Sequence, residues 1–182
     1  MTTETTAPAP RWYKAAEVAK MIRAQLKRDM PDTRFRVITE HGSSVRVEWT
    51  DGPTPDAVDA LVGPYAGKRF DGMWDLEYHA RPWYCPEHGA RVAETFGHSF
   101  AAEARAGHGN GPVDSRCCSE ATLMRSGAGY VFTTRTLSDE FRGELEAQIA
   151  REEGRPYDGN TFLGNGVYMS DLVYRLSRKT AR

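Results

Sequence analysis

Two short segments carry residue types that bind transition metals. WYCPEHGA, at 83–90, places Cys85 and His88 three positions apart in a segment that also contains a proline and a glycine. RCCS, further along the chain, holds the adjacent Cys117 and Cys118. Structural zinc sites commonly take one pair of thiolate or imidazole ligands from a tight turn and a second pair from elsewhere. These four side chains therefore predict a structural zinc site.

The same residues leave other interpretations open. The two thiols of the second segment are adjacent, and neighbouring side chains seldom point at one ion without local distortion. Cys85 could instead pack beside Trp83 and Tyr84 as a small apolar residue, with the histidines solvated. A different metal or a redox pair is a third interpretation. His98 and His108 are alternates for the fourth ligand position.

Composition indicates a globular chain. The 182 residues are 40% hydrophobic and 27% charged, and no apolar run approaches the ~20 residues that a membrane-spanning helix needs. The N-terminal sequence has neither the positive nor the apolar region of a secretory signal, so we expect a cytoplasmic protein without a membrane partner. An odd number of cysteines argues against a disulfide framework, and we expect reduced thiols.

The spacing of apolar residues and the helix-capping residues predict the helices and strands that must position the ligands. Apolar residues at helical spacing predict a first helix over 13–30, and alternation predicts strands around 35–37, 45–49, 74–78 and 129–135. Thr54 with Pro55 begins a second helix and Ser138 begins a third, which Gly154 ends. A short amphipathic segment at 170–178 follows. This order predicts an α+β fold with a four-stranded, mostly antiparallel sheet and helices on one face.

The interval between the last two predicted strands is too long for an ordinary connection. We expect a flexible tail at 1–10 and a single α+β domain at 11–182, with an inserted Cys/His-containing lobe at 82–127. The lobe is poor in apolar residues, and ordering its backbone costs about 1–2 kcal/mol per residue. Zinc can supply on the order of 10 kcal/mol to such a module. The energetics therefore support the zinc interpretation, and a disordered loop is the alternative.

Three segments resemble a known family: WYKAAEVAKMIRAQLKRDMP, VRVEWTDGPTPDAVDALVGPYAGKRFDGMWDLEY and GAGYVFTTRTLS. They are similar to the large polyvalent protein-associated domain 29 family, a module of phages and conjugative elements. The resemblance covers most of 12–153 apart from the inserted lobe, and WTDGPT followed by GKRFDGM is its most specific part. It implies a mobile-element setting and a role in counter-defence, beside proteins that protect incoming DNA. It implies no catalytic residues.

Charge distribution suggests two kinds of partner. Residues 11–50 contain nine Lys or Arg against five Asp or Glu, and phosphate contacts need such a concentration of positive charge. The candidate nucleic-acid-binding residues are Lys20, Arg23, Lys27, Arg34 and Arg36. Residues 137–153 carry six acids against two arginines, which favours electrostatic pairing with a protein partner or a second copy. The net charge of −1 supports the alternative that the basic residues form ordinary solvated faces. The charge polarity makes a protein partner or self-association the favoured prediction, with nucleic acid as the second.

Catalysis has little support in the sequence. No Gly-rich phosphate loop, nucleophile elbow or zincin helix is present. The alternative to a binding protein is a zinc-dependent hydrolase with an open coordination position and Glu87 or Glu120 as the base. We therefore predict a non-catalytic binding protein rather than an enzyme.

Overall fold

The computed structural model describes residues 10–71, 75–80, 82–91 and 117–182. The middle of the expected insertion, 92–116, and residues 1–9 of the expected tail lie outside these ranges. The helices are α1 (Ala15–Asp29), α2 (Pro55–Val62), α3 (Asp139–Glu153) and α4 (Met169–Ser177), and a 3-10 turn spans Gly63–Tyr65. The first strands are β1 (Arg11–Tyr13), β2 (Arg36–Glu40), β3 (Ser44–Thr50), β4 (Lys68–Asp71), β5 (Leu76–His79) and β6 (Trp83–Cys85). The remaining strands are β7 (Gly89–Arg91), β8 (Thr122–Ser126), β9 (Tyr130–Thr136), β10 (Phe162–Gly164) and β11 (Val167–Tyr168).

A three-stranded sheet of order β2-β3-β9 carries the main core. β2 and β3 form a hairpin whose turn places His41 and Gly42 at positive φ, and β9 runs parallel to β3. Val45, Val47 and Trp49 alternate along β3 and are buried against α1 and α2. The opposite face of this sheet carries polar and aromatic side chains that remain accessible.

A four-stranded mixed sheet of order β1-β8-β6-β7 lies beside this core. β1 pairs with β8 in parallel, and the other two pairings are antiparallel. The predicted α+β class, with a four-stranded, mostly antiparallel sheet and a Cys/His group, is confirmed. Its strands differ from those expected, because parallel pairing of β1 with β8 depends on contacts between distant parts of the chain.

Contrary to the prediction from the sequence, the strand expected around 74–78 does not join the four-stranded sheet. β5 pairs with β4 in a separate two-stranded ribbon, and Leu76, expected to be half-buried, is 41% exposed. The ribbon meets the central sheet where β4 begins, with the Lys68 amide donating to the Gly129 carbonyl at 2.9 Å. The Tyr130 hydroxyl of β9 also donates to the Glu77 carboxylate of β5. Trp74, the first residue of the expected strand, lies outside the described residues.

The helix ends form as their residue types predict. The Thr54 hydroxyl accepts a hydrogen bond from the Ala57 amide at the start of α2, and Ser138 accepts one from Phe141 at the start of α3. Gly154 ends α3 in the left-handed conformation. These local signals act within a few residues, so they do not depend on distant pairing.

Arg135 joins the central sheet to the C-terminal helices. Its guanidinium donates to the carbonyls of Asp51 at 2.9 Å, Gly52 at 2.8 Å, Ser177 at 2.6 Å and Thr180 at 3.0 Å. Backbone from two distant parts of the chain, 51–52 and 177–180, thus converges on one side chain. An arginine can satisfy several carbonyls at once because its donors form a rigid planar fork.

Asp51 lies at the same junction, in the left-handed region at φ 53°. Its carboxylate accepts the Ser138 amide at 2.8 Å. Desolvation raises the pKa of Asp51, but hydrogen bonds from the amide and hydroxyl of Ser138 outweigh it, and the pKa falls below its ordinary value. The carboxylate form is therefore the one that the fold stabilises.

No helix in the described ranges is both long and apolar enough to cross a bilayer.

We expect Asp51→Asn to lower the free energy of unfolding at neutral pH by about 1–2 kcal/mol, because the Ser138 backbone amide loses its charged acceptor. A depressed folded-state pKa contributes stability above the unfolded pKa and loses it as the pH falls through the folded pKa. The difference from wild type should therefore shrink on acidification in urea titrations. Asp75→Asn, at an exposed residue with a similar φ of 52°, is the control. An equal effect of both variants would contradict this account.

Candidate metal centre

A tight hairpin positions the first two candidate ligands. Cys85 ends β6, Pro86 and His88 occupy the turn, and Gly89 begins β7 opposite Cys85. Gly89 has φ 77°, a conformation that L side chains rarely adopt. The turn therefore brings the thiol and the imidazole to the same side, as the spacing of the two residues predicts.

The second pair arrives from just before β8. Cys85 Sγ lies 3.4 Å from His88 Nδ1 and 3.5 Å from Cys118 Sγ, and the sulfurs of Cys117 and Cys118 are 3.7 Å apart. All four candidate ligand atoms lie within 4.8 Å of one another. The structure thus brings together all four residues that the sequence proposed.

Three of the six separations among these ligand atoms are close to the edges of a zinc tetrahedron. Zn–S bonds of about 2.3 Å and Zn–N bonds of about 2.0–2.1 Å give S···S edges of about 3.8 Å and S···N edges of about 3.6 Å. The three short separations between these ligand atoms lie within a few tenths of an ångström of those values. Three thiolates and one imidazole form a complete structural ligand set, and the group could hold a metal ion.

A small apolar cluster surrounds the sulfurs. Cys85 is 1% exposed and packs with Trp83, Ala121 and Leu123, while Cys117 and Cys118 lie against the same cluster. This packing alone accounts for the burial of Cys85, as the apolar interpretation proposes. It does not account for an imidazole nitrogen beside three convergent sulfurs, because a solvated histidine needs no such neighbour.

The thiols differ in acidity. Burial opposes ionisation of Cys85, but hydrogen bonds from the His88 amide and side chain prevail and lower its pKa to about 6. Desolvation and the neighbouring sulfurs raise the pKa of Cys117 above its ordinary value. A second thiolate beside the first is unfavourable because like charges repel at this distance. A bound cation would remove that repulsion and allow all three thiols to ionise.

The Cys/His hairpin is fixed to α1 by specific contacts. The Tyr65 hydroxyl donates to Gln25 Oε1 at 2.6 Å, and the Ala90 amide hydrogen-bonds to the same hydroxyl. A Cβ at Gly89 would lie 2.1 Å from Gln25 Oε1. Arg28 also donates to the Pro86 carbonyl at 3.4 Å. The hairpin therefore packs directly on the main core.

The other predicted site residues stay predictions, and the structure shows where most of them lie. His98 and His108 lie outside the described residues. Glu87 and Glu120, the candidate bases, are exposed. The residues proposed to contact nucleic acid are also all exposed: Lys20, Arg23, Lys27, Arg34 and Arg36. Two of them have partners within the chain, since Arg23 donates to the Val37 carbonyl at 2.5 Å and Arg36 pairs with Glu48 at 2.9 Å.

The family model of large polyvalent protein associated domain 29 matches residues 13–138. The chain belongs to this domain 29 family. The match includes α1, the central sheet and the residues of the metal centre, and it ends where α3 begins. Family membership places the chain among proteins associated with phages and mobile elements. No curated protein and no solved structure matches the chain.

Sequence reasoning missed Gln25 and Tyr65. Both lie in segments whose apolar spacing suggests ordinary packing, and both are buried. The available signal was the position of Gln25, since Ile22, Gln25 and Leu26 fall on one face of α1. A polar residue on an apolar helix face requires a hydrogen-bond partner, which Tyr65 supplies.

We expect Gly89→Ala to lower the free energy of unfolding by about 2 kcal/mol or more, because the new methyl overlaps Gln25 and the residue must keep a positive φ. Gly143→Ala is the matched control, since its Cβ meets open space within α3. Helix propensity should raise the stability of that variant by roughly 0.5–1 kcal/mol. Denaturant titration measures both. Equal stabilities of the two variants would contradict the packing of the hairpin on α1.

Proposed function

We propose that this domain 29 protein is a non-catalytic, zinc-stabilised binding protein of a phage or mobile element that engages a protein partner. Its family supports the setting, which suggests a cytoplasmic role in counter-defence when foreign DNA enters a host. The accessible face of the β2-β3-β9 sheet supports the binding role. That face is the single observation on which the proposal mainly depends.

Aromatic side chains stand on this face next to neutralised charges. Tyr130 and Phe132 are 37% and 47% exposed, and their rings stack with centroids 5.9 Å apart. Arg46 pairs with Glu40 at 2.8 Å on the same face. Lys68 pairs with Glu77 at 2.6 Å beside the Tyr130 ring.

Exposed aromatic rings among paired charges resemble a protein interface more than a phosphate-binding surface. Phosphate binding requires cations without acidic partners. Arg36 and Arg46 are instead both neutralised by glutamates across the sheet. Lys20, Lys27 and Arg34 retain unpaired charge within the described part of the chain, so nucleic acid is the second candidate partner.

Zinc has a structural role in this proposal. A hydrolytic zinc needs a coordination position open to water, whereas three cysteines and one histidine would fill a tetrahedral site. Burial of Cys85 beside apolar residues supports the structural role, and the exposed Glu87 lies outside the ligand group. The alternative of a zinc-dependent hydrolase therefore has less support.

Elemental analysis tests the metal. We expect one zinc ion per chain in protein purified from zinc-supplemented medium, and loss of that ion with marked destabilisation in Cys85→Ser and Cys118→Ser. Zinc contributes on the order of 10 kcal/mol in small sites, so chelation should lower the unfolding temperature of the wild type. His79→Ala, at an exposed histidine on β5, should retain the metal. Metal-free protein that is insensitive to chelator would refute the zinc site.

Light scattering over a range of concentrations tests the protein partner, starting with a second copy of the chain. We expect association that Phe132→Ser weakens by tenfold or more, a change of about 1.4 kcal/mol. Products of neighbouring genes on the element are the next partners to test by pairwise binding. Phe162→Ser, at an exposed ring on the β10–β11 hairpin, is the control.

Two results would count against the protein partner. A chain that stays monomeric and binds none of the neighbouring products would have no detected partner. Retention on heparin at low ionic strength that Lys20→Glu and Lys27→Glu abolish would favour nucleic acid instead, since retention through phosphate-like contacts requires those cations.

A further inference from the structure

β9 forms one edge of the central sheet. The Asp51 amide donates to the Thr136 carbonyl, so Thr136 directs its backbone groups toward β3. Backbone direction alternates along a strand. Val131, Thr133 and Arg135 therefore direct their N–H and C=O groups away from β3. Over the part of the chain that the structure describes, these outward groups make no backbone hydrogen bond.

This edge lacks the features that usually protect an edge strand. Native proteins cover or interrupt such strands with proline, lysine, bulges or a neighbouring segment. β9 has seven residues in continuous register with β3, and it contains neither proline nor lysine. The β4–β5 ribbon contacts its beginning, where Lys68 bonds to Gly129 and Tyr130 bonds to Glu77. No strand in the described ranges pairs with the edge from Val131 to Arg135.

A cavity of about 580 Å³ lies along this edge, between α2 and the C-terminal helices. Thr133 and Arg135 line it from β9, Leu137 lines it directly after that strand, and Tyr174 lines it from α4. Tyr174 is 63% exposed, so the cavity opens to solvent on that side. Space is therefore present where an additional strand would lie.

The charges around the cavity favour an acidic occupant. Arg135, Arg142 and Arg178 line it against a single carboxylate, Asp59. Asp59 already accepts the Thr133 hydroxyl at 2.6 Å, and Arg178 pairs with Asp56 at the rim. Arg142 makes no ion pair within the described residues. Its charge is available to a carboxylate of an incoming chain.

We propose that the outer edge of β9 binds an extended, acidic peptide segment as an added strand. This inference rests on the proposed protein-binding role and specifies the conformation and charge of the partner segment that binds. The outward N–H and C=O groups of β9 would pair with the peptide backbone, as in other cases of strand addition. Arg142 would select acidic over basic segments.

Synthetic peptides test the edge. The probe is a short peptide of alternating valine and glutamate, and its counterpart alternates valine and lysine. We expect calorimetry to detect binding of the acidic peptide only. Hydrogen exchange should show protection of the Val131, Thr133 and Arg135 amides on binding. Arg142→Glu should weaken binding of the acidic peptide by about tenfold, and it leaves the β9 backbone unchanged.

A matched pair of variants isolates the backbone contribution. Thr133→Pro removes an outward N–H, which an edge strand tolerates, whereas Thr133→Val loses the bond to Asp59 but keeps the N–H. We expect Thr133→Val to retain most of the affinity and Thr133→Pro to lose about tenfold or more. Circular dichroism confirms that both variants fold.

Equal affinities of the two Thr133 variants, or unprotected edge amides, would overturn the proposal. If Phe132→Ser still disrupts association in that case, the wider protein-binding role would remain supported. The two failures are therefore distinguishable.

Discussion

The contact between Gly89 and the buried Gln25 side chain fixes where the Cys/His hairpin lies. Gln25 is 5% exposed on a helix face that is otherwise apolar, and its amide oxygen accepts from Tyr65. A buried amide without partners costs several kcal/mol in an apolar environment. Only a residue without a side chain can approach it as closely as Gly89 does. The hairpin therefore has one favourable position against α1.

Further contacts connect the candidate metal centre to the main core. Tyr84 directly precedes Cys85, and its ring packs against Tyr13 at 5.9 Å and Tyr65 at 6.2 Å. β8 completes the arrangement, since it pairs with β6 on one side and β1 on the other. A metal ion would thus join the residues on either side of 92–116, and both lie in or beside the β1-β8-β6-β7 sheet. Its binding energy would stabilise the main core as well as the hairpin.

The sequence predicted most of the local structure and which four Cys and His residues cluster at the candidate metal centre. Thr54, Ser138 and Gly154 determine helix ends through bonds to residues a few positions away, so their types are sufficient signals. Thiolate and imidazole ligands are also recognisable by chemistry alone. Strand pairing was less predictable because β1 and β8 meet across most of the chain, at a separation where no local pattern operates.

Arg135 shows a second limit of prediction from sequence. An arginine in an alternating strand normally suggests a side chain in solvent, yet Arg135 donates to four backbone carbonyls. Nothing adjacent in sequence indicates those acceptors, because Gly52, Ser177 and Thr180 belong to distant segments. Donor groups committed to these carbonyls do not contact phosphate. Four positive residues of the 11–50 region likewise have partners within the chain: Arg23, Arg28, Arg36 and Arg46. This leaves β9, with its exposed rings and open edge, as the better-supported binding element.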